Sequence, residues 1–233
     1  MNPALAQHES PRYEVKMLCR DSAHSTVLFL LQAHGSGIRV HHPSRRVQSV
    51  YFDTDGGRAL QQNLTGLPGR EKLRLRWYGD AIDQVSGCME LKIRENALIS
   101  KKRFHLPAAV MIAGATRRSL TRSLMDASPP EWRSLFAEGL EPAQWISYQR
   151  RYFVTYDGAV RVTVDNNMRA WDLRDNFVVG ARHEMPLSSP VIVECKAAPE
   201  HYDQLQEVLN GLPFSRDKCS KYVMACCPGH FYV

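Results

Sequence analysis

Apolar and polar residues alternate with a period of two along several stretches of the chain, and each such stretch reads as a half-buried β-strand. The pattern predicts strands over residues 13–18, 48–53, 72–78, 88–94, 101–105, 146–156, 160–165 and 191–196, with Asp157-Gly158 supplying a hairpin turn. The period lengthens after residue 20. Val27, Leu28, Leu30 and Leu31 share one helical face, with Asp21 or Ser22 as N-cap and Gly35 and Gly37 ending the helix. A helical insertion is expected over about 108–140, split into two amphipathic pieces at Pro129-Pro130. A last helix over 199–209 has Pro199 near its start and Gly211 after its end. Residues 1–10 read as a flexible tail and 11–233 as one domain, a length that a single β-rich domain can fill.

The polar faces of these strands are unusually cationic. Lys72, Arg74 and Arg76 alternate with Leu73 and Leu75, and Glu90, Lys92 and Arg94 alternate with Met89, Leu91 and Ile93. Arg161, Thr163 and Asp165 oppose Val160, Val162 and Val164, and Glu194 and Lys196 flank Cys195. A solvated face is the plain alternative. Against it, like charges facing one another across strands repel, and acids are few. Cations at i and i+2 stand about 7 Å apart, the reach of two or three linked phosphates. Closing the sheet with this face inward gives an antiparallel barrel with a wet, anion-seeking tunnel, its apolar outer face covered by the helices. The fold class is therefore α+β.

Composition narrows the partners. The chain is 44% hydrophobic and 23% charged with a net charge of +6, which favours an anionic partner without saying which. No basic stretch followed by an apolar one opens the sequence, and the apolar run at 26–31 is far short of the roughly 20 residues that span a bilayer. A soluble, cytoplasmic protein without a membrane partner is expected. The six cysteines include no CxxC pair, so reduced thiols rather than structural zinc are expected. His41-His42 lacks ligand spacing, and Gly66 and Gly69 sit in a turn rather than a GxxxxGK[ST] loop. Asp53 is expected to cap or turn the chain after its strand, and Tyr148, Tyr152 and Tyr222 to fill core in preference to packing the tunnel wall or contacting a nucleotide base. The run KLRLRWYG at 72–79 would also suit single-stranded nucleic acid. Glu90 and Glu194 among the cations argue against that partner.

Nine segments in order resemble one family: RYEVK (12–16), SVYFDT (49–54), KLRLRWYG (72–79), MELKIR (89–94), KKR (101–103), YQRRY (148–152), VRVTVDNNMRA (160–170), VIVECK (191–196) and SKYV (220–223). They are similar to the polyphosphate polymerase (VTC) domain of the triphosphate tunnel, or CYTH-like, superfamily. The resemblance implies an eight-stranded antiparallel barrel whose lumen binds triphosphate. It implies phosphate binding by Lys16, Arg74, Arg76, Lys92, Lys102, Arg150, Arg161, Lys196, Ser220 and Lys221, with Arg74, Arg76, Lys92, Arg161 and Lys221 catalytic. Glu194 is the implied ligand of Mn²⁺ or Mg²⁺, hard cations that suit carboxylate and phosphate oxygen. Glu90 and Asp165 are expected to pair with Lys92 and Arg161 rather than to assist Glu194 at the metal, and Glu14 to line the tunnel or pair with a cation. Lys101 or Lys102, Lys218 and Lys221 are expected to neutralise the reacting ends.

The implied activity is transfer of the γ-phosphoryl group of ATP to inorganic polyphosphate. A metal-dependent triphosphatase and a non-catalytic polyphosphate sensor remain as alternatives. Hydrolytic branches usually begin with ExExK, and here Arg12 stands at the first of those glutamates, which favours the polymerase branch. The inositol-phosphate-sensing module and membrane anchor of eukaryotic relatives are not expected.

Overall fold

The computed structural model describes residues 7–175, 178–181, 184–217 and 219–228. Eight strands close into an antiparallel barrel. In chain order they are β1 (Gln7–Cys19), β2 (Arg39–Asp53), β3 (Gly69–Tyr78), β5 (Cys88–Glu95), β6 (Leu98–His105), β8 (Glu141–Val154), β9 (Val160–Asp172) and β10 (Val191–Ala197). Around the barrel the order is β1-β10-β9-β8-β2-β3-β5-β6, closing back on β1, while β4 (Gln84–Val85) and β7 (Val110–Met111) pair separately. Among the described residues six α-helices complete the fold: α1 (His24–Gln32), α2 (Arg58–Leu64), α3 (Arg117–Ala127), α4 (Pro130–Ala137), α5 (Tyr202–Asn210) and α6 (Lys221–Cys226).

The alternation of the strands decides what lies on each side of the wall. Val50, Phe52, Leu73, Leu75, Met89 and Leu91 face outward and are buried under Leu120 and Leu124 of α3 and Trp132 and Phe136 of α4. On the far side Met17, Val162, Val164, Val193 and Cys195 are covered by Val27 and Leu31 of α1 and by Leu205, Val208 and Leu209 of α5. Each fully buried aliphatic side chain contributes about 1.5–3 kcal/mol, so these two layers hold the barrel closed while its inner face stays polar.

One end of the lumen is apolar. Val47, Tyr51, Ile146, Met168, Ala170 and Ile192 pack there against Tyr222, Met224 and Ala225 of α6. Asp53 anchors this arrangement. Its carboxylate accepts from the backbone N–H of Thr54 (2.8 Å), Ala59 (2.9 Å) and Leu60 (3.1 Å), and from the Tyr222 hydroxyl (2.6 Å). The expected capping role is therefore real and extends to positioning α6.

Several boundaries move. β1 begins at Gln7, so residues 7–9 pair with β6 rather than forming a tail; residues 1–6 lie outside the described part. The first helix is preceded by a 3₁₀ turn over Asp21–Ala23, and neither Asp21 nor Ser22 caps it. The insertion starts with β7, and its helices begin only at Arg117. β2 starts nine residues before the expected 48, at Arg39, in a segment interrupted by Pro43 and two register shifts. β9 runs on to Asp172 because Asn167, at φ 50°, makes a bulge. Inward-facing positions are odd up to Asp165 and even from Met168, which breaks the period of two.

Candidate functional site

The inward side chains of seven strands and α6 enclose a cavity of about 540 Å³, open mouth included. Nine cations line it, Lys16, Lys72, Arg74, Arg76, Lys92, Lys101, Arg150, Lys196 and Lys221, against two carboxylates, Glu14 and Glu194. Tyr51, Tyr148 and Ser220 complete the wall. Register explains the density. Glu14 faces Lys196 and Lys16 faces Glu194 across β1 and β10, while Lys72, Lys92 and Lys101 stand abreast on β3, β5 and β6.

On the side of β1, β8, β9, β10 and α6, carboxylates fix the cations. Glu194 is a hub. Its Oε1 accepts from Lys221 (2.9 Å) and lies 3.4 Å from Lys16, and its Oε2 accepts from Lys196 (2.5 Å) and Arg150 (3.4 Å). Asp165 accepts two 2.6 Å bonds from Arg150 and a 2.6 Å contact from Lys221. Burial opposes ionisation of Glu194, but Lys16, Lys196, Lys221 and Arg150 outweigh it and hold the carboxyl well below its ordinary range. Burial likewise works against the charge of Lys16 and Lys221, yet Glu194 and Glu14 raise the first, and Asp165 and Glu194 the second. Lys196 is lowered by burial despite its bond to Glu194, whose charge four cations share.

The guanidinium groups on β3 are also preset. Arg74 gives Glu90 bonds of 2.9 and 2.5 Å and reaches the Tyr51 hydroxyl at 2.8 Å. Arg76 lies 3.5 Å from Glu90 and donates to the Tyr148 hydroxyl at 3.1 Å. Arg103 holds the other Glu90 oxygen at 3.2 Å.

The lysine row differs. Lys72 donates to Ser220 Oγ (2.7 Å), which also caps α6 by accepting from the Val223 N–H. Lys92 bonds Glu14 (2.7 Å), and Lys101 has no carboxylate within bonding distance among the described residues. Burial, only partly offset by Glu14, pushes Lys92 down to about 7. Burial together with Lys92 and Lys16 holds Lys72 well below the ordinary lysine range. Burial, with Arg74 and Arg76 opposing Glu90, does the same to Lys101.

Of the lining residues implied by the sequence, Lys16, Arg74, Arg76, Lys92, Arg150, Lys196, Ser220 and Lys221 meet in this cavity. Lys102 does not. It is exposed on the outer face, and Lys101 takes the inward place; Phe104 and Leu106, both outward and apolar, share the parity of Lys102 and could have shown this. Arg161 has the inward parity opposite Lys196 but is exposed beyond the cavity, beside Arg12, Glu9 and Arg103. Tyr51 was missed, and Lys72, read on the same inward cationic face as Arg74 and Arg76, was not among the implied phosphate-binding residues. Glu90 and Asp165 are ion-paired as expected in kind, with Arg74 and Arg150 in place of Lys92 and Arg161. Lys218 lies outside the described residues. Tyr148 and Tyr222 are buried. Tyr152, half-buried, stands at the mouth rather than in the core.

A divalent cation would find a limited donor set. No group of three or more His, Cys, Asp or Glu suited to a metal occurs among the described residues. Glu194 is a hard oxygen donor facing the cavity, and three of its present partners are lysine ammonium groups. That fits a Mg²⁺-type ion held by one carboxylate and completed by substrate phosphates. Also, no described helix is long and apolar enough to cross a membrane.

Comparison with known proteins agrees with this geometry. Solved structures that share the fold include an adenylyl cyclase-named protein from Hippeastrum, reported with a dominant triphosphatase activity, at 16% identity and a TM-score of 0.50 over 92% of this chain and 95% of that one. An adenylate cyclase-named protein from Vibrio parahaemolyticus matches at 16% identity and a TM-score of 0.50, covering 91% of this chain and 98% of its own. No curated protein sequence matches. The VTC domain model matches residues 11–228. The chain therefore belongs to the VTC domain family, and its barrel has the triphosphate tunnel fold.

Proposed function

We propose that this protein is a phosphotransferase that moves the γ-phosphoryl group of ATP to the end of an inorganic polyphosphate chain. The observation that carries this reading is a cavity lined by nine cations and two carboxylates, both acids held in ion pairs. Phosphoryl transfer is catalysed mainly by alignment and charge neutralisation. Arg74 and Arg76, fixed by Glu90, Tyr51 and Tyr148, present guanidinium edges suited to phosphate oxygens. Lys16, Lys196, Lys221 and Arg150 hold the opposite side of the chain.

An acceptor phosphate is already anionic and needs no base. Glu14, Glu90, Asp165 and Glu194 are all ion-paired and lowered, which makes them poor proton acceptors for water. This favours transfer to phosphate over hydrolysis. Glu194, with substrate oxygens, would hold Mn²⁺ or Mg²⁺. When bound, such an ion neutralises charge on the transferring phosphates.

The purified protein is incubated with ATP and Mn²⁺ or Mg²⁺, with and without a short polyphosphate primer, and the products are resolved on a gel beside Arg74→Ala. Long chains and ADP, both lost in the variant, are expected. Free phosphate without chains would replace the reading by a triphosphatase, and tight binding without turnover by a sensor.

A further inference from the structure

Outside the cavity the inward faces of β2, β3 and β8 continue into a rim. Arg45 lies opposite Arg150 in register, Val47 lies between Tyr148 and Tyr78, and His42 lies opposite Tyr152. The Arg45 guanidinium sits 4.4 Å from the ring centre of Tyr78 and 4.9 Å from that of Tyr152, and Tyr152 meets the His42 ring edge-on at 5.9 Å.

This arginine is held differently from those inside. Arg74, Arg76 and Arg150 all rest on carboxylates. Among the described residues Arg45 has no carboxylate partner and is positioned by two aromatic rings. Cation–π contacts fix a guanidinium without neutralising it. With rings against it, the N–H edges remain for an acceptor, which suits phosphate oxygens better than a stacking base. His42 and Arg39 are exposed on the same strand, whereas Arg46 is already paired with Asp80. The rim around Arg161 is less suited, because Glu9 stands there in ion pairs with Arg12 and Arg103.

We propose that the rim of Arg45, Tyr78 and Tyr152 is a docking subsite for the part of a condensed-phosphate chain that extends beyond the cavity. The subsite rests on the reading of the cavity as a polyphosphate site. It makes affinity rise with chain length, since each added charge-assisted contact adds binding. It also makes that rise sensitive to salt, because the rim is exposed.

Calorimetric titration of the full chain with tripolyphosphate and with a linear polyphosphate several times longer tests it, in wild type and Arg45→Ala. Comparing the ratio of the two affinities cancels the statistical advantage of a long ligand. The ratio is expected to fall roughly three- to tenfold in the variant, and the fall to shrink at high salt. An equal ratio in both proteins would overturn the subsite while leaving the cavity reading intact. Loss of ATP affinity relative to tripolyphosphate, with the chain-length ratio unchanged, would overturn it in favour of a nucleoside platform. Failure of wild type to bind either phosphate would overturn the cavity reading itself, and the subsite with it.

Discussion

Two walls of the same cavity carry the same kind of charge and are stabilised in opposite ways. Lys16, Lys221 and Arg150 are locked on Glu194 and Asp165, so their charges are compensated before any ligand arrives, whereas Lys196, bonded to the same Glu194, is still lowered by burial. Lys72, Lys92 and Lys101 stand abreast with Glu14 as their one bonded carboxylate among the described residues, and burial disfavours their charged forms. The first wall is a preset scaffold. The second would be completed by an anion bound along it, which supplies the missing negative charge. A basic site thus need not be uniformly charged when empty.

The largest expected effect breaks the preset wall. Glu194→Gln leaves four cations without their shared acid, and removing one partner of a buried ion-pair network costs about 3–5 kcal/mol. Urea denaturation should show a loss of that size, and turnover should fall at least ~100-fold. Lys101→Met does the reverse. It removes a buried cation with no bonded acid, so stability should stay within about 1 kcal/mol of wild type or rise. Tripolyphosphate affinity should fall about tenfold, the equivalent of ~1.4 kcal/mol.

pH separates the walls further. Lys92, at about 7, lies below its unfolded value, so between roughly pH 7 and 10 the unfolded chain holds a proton that the folded one lacks. Stability of the empty protein should therefore rise through that window, by up to ~1.4 kcal/mol per pH unit from this residue, while anion affinity falls. The lowered carboxyls of Glu14, Glu90 and Glu194 act at the other end. Their contribution is present above the unfolded carboxyl value near ~4.3 and is lost as pH drops through the folded values. Melting temperatures across pH 3–10, with and without tripolyphosphate, check both signs. The smallest effect concerns α6: Tyr222→Phe removes one of four bonds to Asp53 and should cost about 1 kcal/mol in chemical denaturation.

What the sequence revealed follows from the same physics. Period-two alternation between cations and aliphatic residues exposed β3, β5, the first half of β9 and β10, because each has one face on helices and one in the lumen. It failed where that alternation is interrupted. The Asn167 bulge reverses parity along β9, and Pro43 with exposed residues on both faces hides the start of β2. Lys101 and Lys102 are adjacent in the KKR run, and the outward-facing Phe104 shows which of the two turns into the lumen. Six-residue α6 was too short for a helical period to show, and its place is set by Asp53, far away in sequence. Which acid holds which cation depends on closure of the barrel, so the pairing of Glu90 with Arg74 and of Asp165 with Arg150 was not legible.

Proton uptake on ligand binding tests most directly whether this lumen is a condensed-phosphate receptor with one preset and one ligand-completed wall. Long-chain polyphosphate is titrated into the protein at pH 8 in buffers of different ionisation enthalpy; its internal phosphates do not titrate near neutrality. Binding with uptake of about one to three protons per site, drawn by Lys72, Lys92 and Lys101, is predicted. Binding without uptake would contradict the division between the walls, and absence of binding would contradict the assignment of the cavity.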